Sequence, residues 1–293
     1  MERQSPGTLI RLKPKGGLCN RMRAVDSAIA LAHDLEAPLD IYWVRSGDLN
    51  CRFDLLFKGI ASPSVRIHER RFRPLVFART HRHVRAASKL WPFGALTFSK
   101  DENRRLESFD FRSMHPKRRV LIESYSRFYA NPSPYACFTP TDELRQRVRD
   151  RASQFDSHTI GVHVRRADNT KSIAFSPDAV FIEQMRREIS VQPSTRFYLA
   201  TDAMEVKKTL RDLFGERILT TPYEASRRTV EGVQEALVEL YVLASTAKIL
   251  GSYWSTYSTT AAALGKIELV ILRAADPAPA AANGRAAASG AGR

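Results

Sequence analysis

The alternation of strand-like and helix-like segments over residues 159–265 constrains the fold of this chain most strongly. Short apolar runs at 159–165, 196–202, 217–221 and 248–252 are separated by segments with apolar residues at helical spacing. Strands that alternate with helices form parallel sheets with right-handed crossovers. This part of the chain is therefore predicted to be a Rossmann-like α/β domain.

A second alternating series occupies the N-terminal half. Strand patterns at 8–12, 38–44 and 119–125 accompany an amphipathic helix at 21–35. The sequence thus predicts an α/β protein with two Rossmann-like domains whose parallel sheets face a cleft. The predicted divisions are an N-terminal domain at 1–140 with a basic, irregular insert at about 50–118 and a helical piece at 81–89, a C-terminal domain at 141–273, and a disordered Ala/Gly/Pro-rich tail at 274–293.

Composition narrows the class of protein. No apolar run approaches the ~20 residues that span a bilayer, and the N-terminus lacks the ~7–15 residue apolar stretch of a signal peptide. Cys19, Cys51 and Cys137 are odd in number and lack metal-ligand spacing, which is typical of reduced thiols. These features predict a cytoplasmic protein.

The net charge of +15 is concentrated in the middle of the chain, where residues 60–130 hold 16 Lys/Arg and 6 Asp/Glu. Such a field attracts nucleic acid, anionic lipid headgroups or a phosphorylated ligand. A solvated basic surface would explain it equally well. The window contains no recognisable nucleic-acid-binding motif.

Polar residues follow the strand IGVHVRRADN, where ligands bind in open parallel sheets. Arg165 and Arg166 present planar donor forks that match phosphate oxygens. His163 lies on the same strand face as Arg165 and is placed to hydrogen-bond a ligand. Asp168 would orient the arginines or sit near the reaction. An ion-paired strand end would explain the same residues.

Two later strands end in a similar way. Asp202, in YLATD, is placed to accept from sugar hydroxyls or base N–H groups, although a helix N-cap is the simpler explanation when the motif is taken alone. Ser252, Ser255 and Thr256, in GSYWSTYSTT, surround a helix start, where hydroxyls and N–H groups form a phosphate cradle. Ordinary capping needs only one hydroxyl.

The N-terminal turn KGGLCNR faces the same predicted cleft. Gly17 would let the backbone approach a ligand closely, and Asn20 heads the following helix. The turn fits neither G-x-G-x-x-G nor the P-loop, which disfavours nicotinamide cofactors and P-loop chemistry. The chain has no D-x-D pair, no metal-ligand spacing and no G-x-S-x-G. The charge of a bound diphosphate would therefore be balanced by arginine and backbone dipoles.

Together and in order, these motifs resemble those of the α1,6-/O-fucosyltransferase superfamily. The similar segments are KGGLCNRMRAVDSAIALA, GVHVRRAD, FYLATD and ALVELYVLASTAKILGSYWSTYS, which lie within residues 8–44 and 159–265. The resemblance implies a GT-B-like fold with an acceptor-side N-terminal domain. It also implies metal-independent, inverting transfer of fucose from GDP-fucose to a glycan or glycolipid, with no further cofactor.

The resemblance also implies residue roles. Arg165 would grip the diphosphate and act in catalysis with Asp168. The predicted nucleotide-sugar-binding residues are Gly17, Asn20, His163, Arg165, Arg166, Asp202, Ser252, Ser255 and Thr256.

Two positions depart from the family pattern. Cys19 stands where the family usually has glycine, and Ile173 stands where the core fucosyltransferase has a glutamate that is a candidate base. Because inverting transfer normally needs a base for the acceptor hydroxyl, Asp168, Asp26 and Asp178 all stay open for that role.

Two alternatives remain from the sequence. In the first, the enzyme uses another nucleoside-diphosphate sugar as donor, because residues that bind a diphosphate do not identify the hexose. In a different class, the chain would be a non-catalytic nucleic-acid-binding or nucleotide-binding protein with steep salt dependence. The basic segment fits peripheral contact with an anionic membrane. Nucleic acid is not favoured as a partner.

Overall fold

Two five-stranded parallel sheets form the framework of the protein. The computed structural model describes residues 7–69, 95–114, 119–166, 169–223 and 225–274. The N-terminal sheet has the order β3-β2-β1-β5-β4, and the C-terminal sheet has the order β10-β9-β6-β7-β8. The strands are β1 Leu9–Pro14, β2 Leu39–Tyr42, β3 Val65–His68, β4 Ala95–Phe98, β5 Arg119–Ser124, β6 Thr159–Val164, β7 Arg196–Thr201, β8 Ile218–Leu219, β9 Lys248–Ser252 and β10 Glu268–Leu272.

Helices connect most of these strands and cover the sheets. They are α1 Leu18–Asp34, α2 Asn103–Glu107, α3 Asp142–Ala152, α4 Thr170–Phe175, α5 Asp178–Val191, α6 Met204–Phe214, α7 Val230–Leu243 and α8 Thr256–Gly265, with 3₁₀ turns at Phe111–Ser113 and Gly215–Arg217. Among the described helices, none has the length and apolar character needed to cross a bilayer.

The register of the C-terminal sheet brings three strand ends together. Strand β6 is buried along its whole length, as expected for a central strand covered by helices on both faces. In the register, His163 lies opposite Ala200 of β7 and Gly251 of β9. The residues that follow β6, β7 and β9 therefore meet at one edge, which is where open parallel sheets bind ligands.

One hydrophobic core cluster extends across both halves, and a second lies within the C-terminal half. Buried residues of α7 and α8, including Leu240 and Ala261, belong to the same cluster as Ile10 and Leu12 of β1. At this junction the Tyr241 hydroxyl donates to the Phe138 carbonyl over 2.6 Å. A common core fixes the two halves relative to each other, because packed apolar surfaces resist being pulled apart.

The segment predicted to be irregular contains regular structure. Two edge strands, β3 and β4, and the short helix α2 lie within it. Each of these strands has four residues, which is too short to show a clear period of two. Helix α4 was also not predicted. The predicted helix at 81–89 and the tail from 275 onward lie outside the described residues.

Candidate active site

A cleft of about 620 Å³ lies between the carboxyl ends of the two sheets. Its C-terminal wall is formed by His163, Arg165, Asp202 and residues 254–257. Its N-terminal wall is formed by the turn at residues 16–20 together with Asp48, Leu49 and Tyr125. Residues that are far apart in sequence thus face one another across a single pocket.

Arg165 is fixed in the C-terminal wall by contacts to two other strand ends. Its backbone N–H donates to Ser252 Oγ over 2.9 Å, and the Ser252 hydroxyl donates to the His163 carbonyl over 3.3 Å. Its guanidinium forms an ion pair with Asp202, whose second oxygen accepts from the Arg166 N–H over 2.7 Å. Ser252 is fully buried and does not line the cleft. Its hydrogen bond therefore positions the backbone of Arg165 and is not available to a ligand.

Arg166 does not line the cleft in the described part of the chain. Its guanidinium forms an ion pair with Asp178 and donates to the Ser176 carbonyl over 2.8 Å. Because neighbouring residues of an extended chain point in opposite directions, Arg165 and Arg166 diverge at the strand end. Arg166 fastens the start of α5 to the end of β6.

The three aspartates predicted as candidate bases have different locations. Asp168 lies outside the described residues. Asp26 is fully buried and accepts from Arg127 Nη1, Asn131 Nδ2 and the Tyr135 N–H at 2.6–2.7 Å. Asp178 is the ion-pair partner of Arg166. Neither Asp26 nor Asp178 lines the cleft, so neither is placed to take a proton from a substrate there.

His163 is a neutral imidazole in the cleft wall. It stacks on Tyr257 with ring centroids 4.8 Å apart, and its Nδ1 lies 3.4 Å from Ser255 Oγ. Burial lowers the pKa of His163 to about 4, because a charged ring would lose its hydration. At neutral pH the ring therefore offers a hydrogen bond without a positive charge.

The start of α8 lies in the same wall. Ser255 is the N-cap residue, but its hydroxyl does not cap the helix and faces His163 instead. Thr256 donates to Asn20 Oδ1 over 3.2 Å and so links the C-terminal wall to the N-terminal wall. The first N–H groups of a helix attract anions, because the helix dipole is positive at that end.

The two glycines of the turn in the N-terminal wall have different surroundings. Gly16 adopts a φ of 76°, which favours glycine. A Cβ atom on Gly17 would lie 3.7 Å from both Arg227 Nε and the Asp48 carbonyl oxygen. This is ordinary van der Waals contact, so a small side chain would fit at Gly17 and the approach of these two segments does not depend on glycine. Cys19, at the position where the family has glycine, is buried, and burial raises the pKa of its thiol to about 12.

Glu239 is a cleft residue that the sequence reasoning missed. It lies on α7, is 3% exposed and lines the cleft. Its Oε1 has no hydrogen-bond partner among the described residues. Burial raises the pKa of Glu239 to about 8. The signal in the sequence was a carboxylate within the apolar run ALVELYVLA, since charged residues are almost never fully buried without a reason.

No cluster of three or more His, Cys, Asp or Glu side chains suited to a metal ion occurs in the part of the chain that the structure describes. All three cysteines carry free thiols.

Known proteins resemble this chain in structure rather than in sequence. Neither the protein-family models nor the curated proteins give a match to the sequence. Fucosyltransferase NodZ from Bradyrhizobium is 18% identical, with 88% of this chain and 93% of that chain covered and a TM-score of 0.61. An Arabidopsis thaliana FUT1 mutant in complex with GDP is 14% identical, with 93% and 71% covered and a TM-score of 0.60. POFUT1 in complex with GDP is 10% identical, with 92% and 99% covered and a TM-score of 0.53.

These similarities define the fold. The chain has the α/β architecture of the GT-B fucosyltransferases, with two Rossmann-like halves and a cleft between their parallel sheets. The predicted fold class is thereby confirmed. Identities of 10–18% are too low to carry an activity from those proteins to this one.

Proposed function

We propose that this protein is a glycosyltransferase that transfers fucose from GDP-fucose to a glycan or glycolipid acceptor, with inversion and without a metal ion. The observation that carries the proposal is the fixed position of Arg165 beside the start of α8 in the cleft. The structural neighbours support it: NodZ has been soaked with GDP-fucose, and FUT1 and POFUT1 are in complex with GDP.

The chemistry of the leaving group matches the charges in the cleft. When the bond between the sugar C1 and the diphosphate oxygen breaks, negative charge builds up on the diphosphate. Arg165 and the start of α8 are held in place beforehand, so they stabilise this charge without reorganising. Arg23, Lys171 and Arg227 also line the cleft. In the proposal these groups supply the positive charge.

The nucleoside is proposed to be guanosine because of Glu239. Guanine presents N–H donors at N1 and N2, and a carboxylate offers two acceptors that match them. Adenine presents an acceptor at N1, and uracil and cytosine lack this pair of donors. Oε1 of Glu239, which has no hydrogen-bond partner among the described residues, and the neutral His163 provide the polar groups for such a base in the cleft.

Thermal-shift titration with GDP, UDP, ADP and CMP, in buffer without Mg²⁺, tests the proposal. A ligand at 100 times its Kd stabilises the folded protein by about 2.7 kcal/mol. We expect GDP to raise Tm by several degrees and the other nucleotides to have little effect. Equal shifts with all four nucleotides, or no shift with GDP, would contradict the proposal.

Glu239→Gln isolates the base contact. The amide places a donor where guanine also donates, so discrimination between GDP and ADP should fall by about 1–3 kcal/mol, which is about 5- to 150-fold in relative affinity. Glu231→Gln is a matched control on the exposed side of the same helix. If Glu239→Gln retained full selectivity for GDP, the guanine assignment would be wrong.

The acceptor is proposed to approach over an aromatic rim. Trp254 is 61% exposed at the cleft and has a φ of 59°. The centroid of its ring lies 4.1 Å from Lys171 Nζ. Exposed aromatic rings give flat apolar surfaces on which a sugar ring can pack. A cytoplasmic location is part of the same proposal. Peripheral contact with an anionic membrane is proposed from the basic composition of residues 60–130.

A further inference from the structure

Asp48 is a cleft carboxylate to which neither the sequence motifs nor the comparisons give a role. It lies on the turn after β2, is exposed, and belongs to the N-terminal wall of the cleft that Arg165 also lines. Within the described residues its carboxylate makes no hydrogen bond or salt bridge, although it lies close enough to the buried Arg21 guanidinium to favour the charged form of that group. Its backbone carbonyl lies 3.7 Å from the position of a Cβ on Gly17, so the residue is held against the start of α1.

Arg21 fixes the turn that carries Asp48. This arginine is 2% exposed, and its guanidinium donates to the Gly16 carbonyl over 2.9 Å, the Val44 carbonyl over 2.8 Å and Ser46 Oγ over 2.9 Å. Ser46 and Leu49 close the turn through a reciprocal pair of backbone hydrogen bonds. A single buried guanidinium therefore joins the glycine turn to the Asp48 turn.

The other carboxylates that line the described cleft are already engaged or lie elsewhere. Asp202 is the ion-pair partner of Arg165 and accepts from the Arg166 N–H. Glu239 is buried on α7, in the C-terminal half. Asp48 is the one cleft carboxylate among the described residues that belongs to the N-terminal wall.

We infer that Asp48 is the general base of the transfer, an inference that rests on the proposed function. Inverting displacement requires the attacking oxygen and the leaving group on opposite faces of the sugar ring. With the diphosphate held by Arg165, the opposite face of C1 is directed at the N-terminal wall. Asp48 takes the proton of the acceptor hydroxyl, the acceptor oxygen bonds to C1, and the electron pair of the broken C1–O bond leaves with GDP.

The first experiment measures GDP release from GDP-fucose with water as the acceptor. Removing a general base typically costs about 10²–10⁴-fold in rate. Asp48→Asn should lower GDP release by an amount in that range and leave the Tm shift with GDP unchanged. Asp101→Asn, which changes an exposed carboxylate outside the cleft, should behave as the wild type.

The second experiment uses azide, which is an anionic nucleophile and carries no proton to remove. In Asp48→Ala, azide should restore GDP release and yield fucosyl azide of inverted configuration, while water should not. This rescue separates a lost base from a misfolded cleft, because a damaged cleft would respond to neither nucleophile.

Two outcomes would overturn the assignment of Asp48. One is an Asp48→Asn protein that releases GDP with water as acceptor at the wild-type rate, especially if Asp168→Asn abolishes that release. The other is an Asp48→Ala protein that still binds GDP and is not rescued by azide. If GDP did not stabilise the wild type at all, the proposed function itself would fail, and that result is distinguishable from both.

Discussion

The two walls of the cleft are built in different ways. In the C-terminal wall, Arg165 and Asp202 are 18% and 15% exposed along their side chains and are connected to each other and to Ser252. In the N-terminal wall, Asp48 is exposed on a turn that Arg21 holds from behind. One wall has its charged groups fixed by partners, and the other presents a carboxylate with an open face.

This difference fits two different tasks. A leaving diphosphate has the same shape in every turnover, so its partners are best fixed in advance. An acceptor must enter, lose a proton and leave as product, which requires a base that the acceptor can reach. In our account the C-terminal wall binds the donor and the N-terminal wall activates the acceptor.

Among the predictions for the C-terminal wall, Arg165→Lys should have the largest effect, which is on the rate of GDP release. Lysine keeps the charge but loses the planar fork that pairs with Asp202 and that, in our proposal, also contacts the diphosphate. We expect GDP release from GDP-fucose to fall by about 10²–10³-fold, as when one donor to a developing anion is lost.

The matched control for that substitution is Arg186→Lys, on the exposed face of α5. Its rate should equal that of the wild type. Turnover by Arg165→Lys at the wild-type rate would show that the C-terminal wall does not work through a bidentate grip, and the contrast between the walls would lose its basis.

A smaller effect is expected when pH changes GDP affinity through the ionisation of Glu239. Burial raises the pKa of Glu239 to about 8, so the carboxyl is protonated at pH 7 when no nucleotide is bound. Guanine donors favour the ionised form and would lower this pKa, so binding would release a proton. GDP affinity should therefore rise as pH increases from 6 to 8, by at most about tenfold per pH unit.

The Glu239→Gln variant provides the reference for that measurement. The terminal phosphate of GDP also titrates near pH 6 and adds its own slope, as in other phosphate monoesters. Subtracting the profile of the variant leaves the contribution of Glu239. Identical profiles for the wild type and the variant would remove Glu239 from the nucleoside site.

The C-terminal half was the more predictable from sequence. Its strands are central and buried, and its polar residues follow them directly, so the carboxyl edge of the sheet brings Arg165, Asp202 and Ser255 together. The period of two along a strand also separates Arg165 from Arg166, although the sequence argument placed both on the ligand. Ser252 was placed at the right strand end, but its hydroxyl is buried under Arg165.

The N-terminal half was less predictable, for physical reasons. Its edge strands β3 and β4 have four residues each, so pairing with their neighbours stabilises them more than local propensity does. Asp26 looked available in the sequence, yet three donors from residues about 100 positions later enclose it. Asp48 carries no local signal, because its place depends on the buried contacts of Arg21.

The most direct test of the central claim is GDP release from GDP-fucose by the wild-type protein in excess EDTA. The account predicts release at the same rate with EDTA as with added Mg²⁺, because Arg165 and the start of α8 supply the positive charge at the leaving diphosphate. No release from GDP-fucose under either condition, or release that EDTA abolishes and Mg²⁺ restores, would contradict it.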